Sequence, residues 1–341
     1  MEPVRFAILG TGKIARKVTP RIIAAEGAVV VGAASRSLDR ARAFADDFGL
    51  EHAWTEDTVG QAEEVDAVYV TVPNHMHPSW SIRLVRAGKH VLMEKPIVWT
   101  VADAERVYRE ASDARRVLVE AFAYPHTDAM RSALERLDDI GPIRKVEGYF
   151  EIEISSGPTE NVRYSRDLAG GAMMDLGCYP MGFARLVAGE PELDTLDAGA
   201  EFVDLFSGSA DGDAVDGSSW ARWTTKSGVD VEIACSMTKK NRWGARIEGD
   251  KGVIEVPLVS MPTGLSITTD SGTETIGLPG EPEKADSAEM YTRQAAAFAR
   301  AVRDGAQPVP TPAWSIEQAK VMERVLQRMG LELPQAPEMP A

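Results

Sequence analysis

Val4-Arg5-Phe6-Ala7-Ile8-Leu9-Gly10-Thr11-Gly12-Lys13-Ile14-Ala15 stands near the start of the chain. A β-rich run passes into the spacing Gly-x-Gly-x-x-Ala, with a helix expected directly after it. Gly10 permits the tight turn, Gly12 lets the backbone approach a ligand, and Ala15 is small enough for helix-on-strand packing. The amides and dipole of the helix N-terminus suit an anion such as a pyrophosphate. Thr11, Lys13 and Ile14 share this turn, so Gly10 to Ile14 are expected to hold a dinucleotide. A glycine-rich turn with no ligand is the plain alternative.

Working outward, a second strand over 28–34 leads into Ser35-Arg36-Ser37. NAD-binding units usually place a carboxylate there, on the ribose 2′-hydroxyl. Here Ser35 and Arg36 take that place, with Arg40 one turn on. A guanidinium pairs with a 2′-phosphate that a carboxylate would repel. NADP(H) is therefore the expected cofactor, with NAD(H) as the alternative. Asp39 is read as a first-turn residue of a helix over 39–48 capped by Ser37, and a short strand is expected near 52–54.

A third buried run, 66–72, ends in Pro73-Asn74-His75-Met76-His77. Pro73, Asn74 and His77 are expected to line the nicotinamide ribose. No Cys, Asp or Glu at ligand spacing accompanies the His-x-His pair, so no metal is expected. Gly88-Lys89 fails as a P-loop, because Arg83 stands where the earlier glycine is needed. The next strand, 90–93, runs into Glu94-Lys95-Pro96. In an open α/β sheet, residues beyond the strand ends face the ligand crevice. Lys95 is thereby lifted to its rim, its direction restricted by Pro96. Such an ammonium can stabilise an oxyanion or pass a proton; the plain alternative is a surface lysine at a strand end. Thr100-Val101-Ala102-Asp103 reads as a capping box, and a strand over 117–124 closes this half. The alternation of strands and helices predicts a doubly wound parallel sheet.

Beyond residue 124 the pattern changes. Residues 145–154 alternate apolar and polar, as do runs at 219–224, 229–235, 244–248 and 252–256. These predict a second, α+β domain with a large open mixed or antiparallel sheet. Its outer face is polar and suits solvent or a homo-oligomer contact. Helices are expected over 287–303 and 313–329, and a loose tail over 334–341. The expected domains are 1–123 for the dinucleotide and 124–341 for the substrate. Within the second, Ala169-Gly170-Gly171-Ala172-Met173-Met174-Asp175-Leu176-Gly177-Cys178-Tyr179-Pro180 reads as a crowded loop opening a helix. The i, i+4 spacing puts Asp175 and Tyr179 on one helical face. A phenol beside an ammonium can donate a proton to a carbonyl becoming an alcohol. The plain alternative has Asp175 capping the helix and Tyr179 packing under the sheet.

Gly10-Thr11-Gly12, Glu94-Lys95-Pro96 and Gly170–Tyr179 stand in the order seen in the glucose–fructose oxidoreductase/inositol dehydrogenase family, Gfo/Idh/MocA, which the chain resembles over nearly its whole length. That resemblance implies a Rossmann domain and hydride exchange between a nicotinamide and a hydroxyl or keto carbon of a sugar, cyclitol or diol. It makes Lys95 the catalytic lysine, Asp175 its partner acid and Tyr179 the proton carrier. Tyrosine in that place is similar to the glucose–fructose oxidoreductase and dihydrodiol dehydrogenase branches. Two departures stand out. No signal sequence is evident, and Glu120–His126 lacks the arginine that many members place after the aromatic residue. On the substrate side His126 and Arg163 are the expected contacts, with Arg163 tying its loop down as the plain alternative. Glu94 is read as orienting Lys95 or the ribose, or as neutralising local charge. The rival readings are a cofactor-sensing regulator on the same fold, which would need no Lys95, Asp175 and Tyr179 together, and an S-adenosylmethionine methyltransferase, which has no use for Lys95.

Composition narrows the classes. A net charge of −15 over 341 residues argues against a nucleic-acid or anionic-membrane surface. Two cysteines, Cys178 and Cys235, give no disulfide framework and suggest a reducing compartment. No apolar run approaches the length of a membrane span. With the first strand beginning by about Val4, a cytoplasmic protein acting on a small polyhydroxylated substrate is expected.

Overall fold

A computed structural model describes residues 2–154, 161–204, 214–240, 242–281 and 288–333. The expected tail over 334–341 lies outside the described residues. Contacts divide the chain into two units, one holding residues 2–123 with 288–316 and the other 124–281 with 317–333. Residues 288–316 thus fall with the first unit, not the second where the sequence reading put them.

The first unit is a six-stranded parallel sheet of β1 (Val4–Leu9), β2 (Ala28–Ser35), β3 (His52–Thr55), β4 (Ala67–Val70), β5 (His90–Met93) and β6 (Leu118–Glu120), in the order β3-β2-β1-β4-β5-β6. Strands β1, β4, β5 and β6 are near-continuous buried runs, as in a sheet covered on both faces by helices, while β3 at the edge is half-buried. The order reverses between β1 and β4, the place where such sheets open a crevice beyond their strand ends. Helices α1 (Lys13–Ile23), α2 (Leu38–Phe48), α3 (His77–Arg86) and α4 (Val101–Asp113) are the crossovers. α1 continues through Pro20. Ser37 holds the N-cap position of α2 without a side-chain cap bond. Thr100 caps α4, accepting from the Asp103 N–H at 3.1 Å while its hydroxyl donates to the Asp103 carboxylate at 2.9 Å. β6 is shorter than expected, ending at Glu120.

Helix α7 (Glu289–Asp304) joins this unit because its apolar stripe has a partner there. Ala295, Phe298 and Ala299 are buried, and the Phe298 ring lies 5.5 Å from that of Phe6 on β1. A periodic stripe in the sequence announces a buried face without saying which core receives it.

The second unit is an eight-stranded sheet in the order β14-β13-β12-β11-β7-β10-β9-β8. The strands are β7 (Ile143–Glu151), β8 (Asp197–Val203), β9 (Val215–Thr224), β10 (Asp230–Ser236), β11 (Trp243–Gly249), β12 (Gly252–Pro257), β13 (Gly264–Thr269) and β14 (Gly272–Gly277). β7 and β10 pair parallel and the other neighbours antiparallel, so the sheet is mixed. Helices α5 (Asp128–Glu135) and α6 (Cys178–Ala188) cover its inner face. On the outer face one row of neighbours runs Asp197, Arg222, Glu232, Glu147, Arg246, Glu255. Within it Arg222 pairs with Asp197 at 2.7 Å and Arg246 with Glu255 at 3.1 Å. The outer face, expected to be polar, is thus charge-mixed. Helix α8 (Pro312–Met329) carries the division between the units, at Ile316 and Glu317.

Candidate active site

In the first unit the ends of β1, β2, β4 and β5 bring Gly10 to Ile14, Ser35 and Arg36, Pro73 and Asn74, and Glu94 and Lys95 to one edge of the sheet. Gly10 has φ +100°, and a Cβ there would sit 2.4 Å from Thr71 Oγ1. Thr71 is itself fixed, its N–H and its hydroxyl both donating to the Leu9 carbonyl. The turn therefore closes only on glycine. A Cβ at Gly12 would meet nothing within 4 Å. The α1 N-terminus has neither a side-chain cap nor an acidic first turn. Open space before uncapped amides fits a dinucleotide pyrophosphate.

Ser35 is buried, while Arg36 and Arg40 are exposed. Beside them, the Glu56 N–H donates to the Ser35 carbonyl at 3.0 Å. Burial and the neighbouring Asp57 raise the pKa of the Glu56 carboxyl, against the charge of Arg36. Glu56 belongs to no motif, and only the strand pairing reveals it.

Around Lys95 the chain is tied down on both sides. The Tyr69 hydroxyl donates to the Glu94 carboxylate, whose other oxygen accepts the Lys95 N–H at 3.3 Å. Beyond the cis Lys95–Pro96 peptide, the Ile97 N–H donates to Glu120 at 3.0 Å. Glu120 is 1 % exposed and also accepts the Ser315 hydroxyl at 2.6 Å. Tyr291 of α7 is buried, and burial with the charge of Glu94 raises its phenol pKa. Lys17 Nζ lies 5.2 Å over the Tyr291 ring. Tyr69, Glu120 and Tyr291 escape sequence reasoning because each sits inside an apolar pattern or far along the chain.

His77 departs from expectation. It is 1 % exposed, with Nδ1 at 2.8 Å from the Pro96 carbonyl and Nε2 at 2.9 Å from the Val72 carbonyl. Burial pulls its pKa down to about 4, against the two carbonyl acceptors, which favour the protonated ring. It joins the β4 and β5 loops through their main chains, leaving neither nitrogen for a ribose or a metal. Among the described residues no group of His, Cys, Asp and Glu gathers as metal ligands.

In the second unit the π-helical turn Met173–Gly177 precedes α6. The expected single α-helix is thus two segments, with Asp175 in the first and Tyr179 in the second. The N-cap positions of the two segments are held by Ala172 and Gly177, not Asp175. Asp175 Oδ2 accepts from Arg163 Nε at 2.6 Å, and that carboxylate in turn raises the Arg163 pKa. The Gly171 N–H donates to the Arg163 carbonyl at 2.9 Å, so Arg163 grips the turn by main chain and side chain together. Tyr179 is half-buried, its ring 5.6 Å from Phe150 and 6.1 Å from Tyr124. His126 ends the short helix that begins at Tyr124 and is half-buried.

Residues 4–122 match the oxidoreductase family with an NAD-binding Rossmann fold, and residues 129–255 match the GFO/IDH/MocA C-terminal domain. The chain belongs to the Gfo/Idh/MocA oxidoreductase family. Among its relatives, an uncharacterized oxidoreductase of Rhizobium meliloti is 33 % identical over 95 % of this chain and 96 % of that one. A dTDP-3,4-didehydro-2,6-dideoxy-alpha-D-glucose 3-reductase of Actinomadura kijaniata is 31 % identical over 95 % of each chain. The crystal structure of KijD10, a 3-ketoreductase from Actinomadura kijaniata in complex with NADP and TDP-benzene, aligns with TM-score 0.81 at 29 % identity, covering 96 % of this chain and 98 % of that one. As a Gfo/Idh/MocA protein, this chain is an NAD(P)-dependent dehydrogenase or reductase acting on CH–OH groups, and the regulator and methyltransferase readings fall away. Among the described residues no helix is long and apolar enough to cross a membrane.

Proposed function

We propose that the protein is an NADP(H)-dependent oxidoreductase acting on a secondary hydroxyl, or the corresponding ketone, of a sugar, cyclitol or diol. The observation that carries this is the fixed Glu94-Lys95-Pro96 segment, in a chain that also holds the Asp175 and Tyr179 pattern. The bound cofactor supplies a hydride acceptor or donor at nicotinamide C4. In reduction Tyr179 gives its phenolic proton to the alkoxide oxygen, and the Lys95 ammonium favours the tyrosinate left behind. Asp175, held by Arg163, orients the substrate hydroxyl; His126 and Arg163 are further contacts. Oxidation reverses the proton's path. The sugar in the reductase's name and the NADP bound to KijD10 support this choice of substrate class and cofactor.

Fluorescence titration with NADPH and NADH, then turnover on a panel of sugars, cyclitols and diols, tests the reading. Tyr179→Phe should lower turnover by about a hundredfold or more with cofactor binding intact. Undiminished turnover would remove Tyr179 from the chemistry. Arg36→Ala should weaken NADPH about ten- to a hundredfold, the worth of a charged hydrogen bond, and leave NADH unchanged. Wild-type protein binding NADH more tightly than NADPH would overturn the role given to Arg36.

For the outer sheet face we propose contact with a second copy of the chain. There Trp220 is 39 % exposed in a row of register neighbours with Gly199, Ala234, Tyr149 and Gly244. The charge-mixed row beside it can pair with its own rotated image. A monomer by light scattering at assay concentration would exclude this.

A further inference from the structure

A buried carboxylate lies in the second unit outside every motif. Asp216, on β9, is 0 % exposed. Its Oδ2 accepts the Met173 N–H at 2.7 Å and the Ser219 hydroxyl at 2.5 Å. Its Oδ1 has no hydrogen-bond partner and bears on Gly171, where a Cβ would lie 2.0 Å away. Buried carboxylates without a cation are expensive, so one kept against a turn needs a reason.

The turn supplies one. Met173 opens the π-helical segment, and Asp175 is two residues on. The Gly171 carbonyl accepts the Asp175 N–H at 3.0 Å, while the Gly171 N–H goes to Arg163, the partner of the Asp175 carboxylate. Asp216 thus bonds Met173 within the turn and lies against Gly171, a member of the closed circuit with Asp175 and Arg163. We propose that Asp216 is a positioning residue for the reaction, setting through Met173 and Gly171 the geometry of the turn that carries Asp175 and leads into Tyr179. The inference rests on the roles proposed above for Asp175 and Tyr179.

The groups facing Asp216 are few. From its own strand come the neutral Ser219 hydroxyl and the N–H of Asp216 itself, and from the π-helical turn only main chain. From β10 comes the Cys235 thiol, kept protonated by burial and by the charge of Asp216 itself. Among the described residues no Arg or Lys pairs with Asp216. Burial accordingly raises its pKa to about 6. Below that pH the buried acceptor of the Met173 N–H is neutral; above it the carboxylate is charged at the cost of its desolvation, which outweighs the stronger bond.

Hydrogen exchange across residues 170–178, corrected for the intrinsic pH dependence, tests this without any substrate. A carboxyl whose pKa is raised on folding stabilises the fold while protonated and loses that contribution as the pH rises through about 6. Protection in the wild type should therefore fall over that rise, and the step should be absent in Asp216→Asn. Ser219→Ala removes a donor to the carboxylate and should move the step to higher pH, which keeps the test open if Asp216→Asn does not fold. On whichever panel substrate turns over, kcat should follow the same step, and Asp216→Asn should lower kcat about tenfold with NADPH binding unchanged. No step in wild-type protection, a step that ignores Ser219→Ala, or a kcat profile unmoved in the variants overturns the proposal. Undiminished turnover by Tyr179→Phe with the exchange step present would instead mark the failure of the catalytic reading.

Discussion

Replacing Lys95 by alanine should lower turnover about a thousandfold, near 4 kcal/mol in the barrier, while NADPH binding stays within a few-fold. The expectation comes from how little freedom the residue has. Its own N–H is bound by Glu94, which Tyr69 holds, and two residues on Ile97 is bound by the buried Glu120. An ammonium set on so fixed a backbone is preorganised for charge that develops only in the transition state. Lys95→Arg should rescue little, since a planar guanidinium does not release a proton and holds its charge in another shape. Stopped-flow turnover with a fluorescence measurement of cofactor affinity separates the two effects. A loss smaller than about tenfold would put Lys95 outside the chemistry.

Gly171→Ala should destabilise the second unit by about 2–6 kcal/mol, adding backbone strain to overpacking. Gly171 has φ +113°, and its new Cβ would meet Asp216 Oδ1 at 2.0 Å. The carboxylate cannot swing aside without giving up the Met173 N–H and Ser219. Gly272→Ala is the control, with φ +124° but nothing within 4 Å, so it carries the backbone cost alone. In urea, Gly171→Ala should shift the unfolding of the second unit well beyond Gly272→Ala. Equal shifts would show that the close approach to Asp216 costs nothing.

What could be read beforehand follows the strength of local signals. Strands β1, β2, β4 and β5 are continuous apolar runs between turn signals, and Gly10 and Gly12 announce their turn by spacing alone. The half-buried centre of the second sheet was equally plain, since Val146, Gly148 and Phe150 point inward in strict alternation on β7. Strands β8, β13 and β14 were not foreseen because they lie toward the sheet's edges, where burial imposes less pattern; every residue of β14 except Ile276 is exposed. The π-helical turn left no trace, because glycine and alanine crowding is compatible with an ordinary helix start. His77 was misplaced for a different reason. Its position after a strand end predicts solvent or ligand, and only the two carbonyls of Val72 and Pro96 explain its burial. Asp216, Glu120 and Glu56 act through partners distant in sequence, which no local spacing can reveal.

The return of α7 to the first unit has a consequence for how the chain is made. Synthesis runs from the N-terminus, and Phe6 emerges from the ribosome long before Phe298, whose ring it meets at 5.5 Å. Until then the dinucleotide-binding unit waits with an uncovered apolar flank while the whole second sheet is being translated. A fragment ending at residue 123 would keep that flank bare permanently. Completion of the cofactor-binding unit is thereby coupled to a nearly full-length chain, and a prematurely terminated product would be left sticky instead of half-functional.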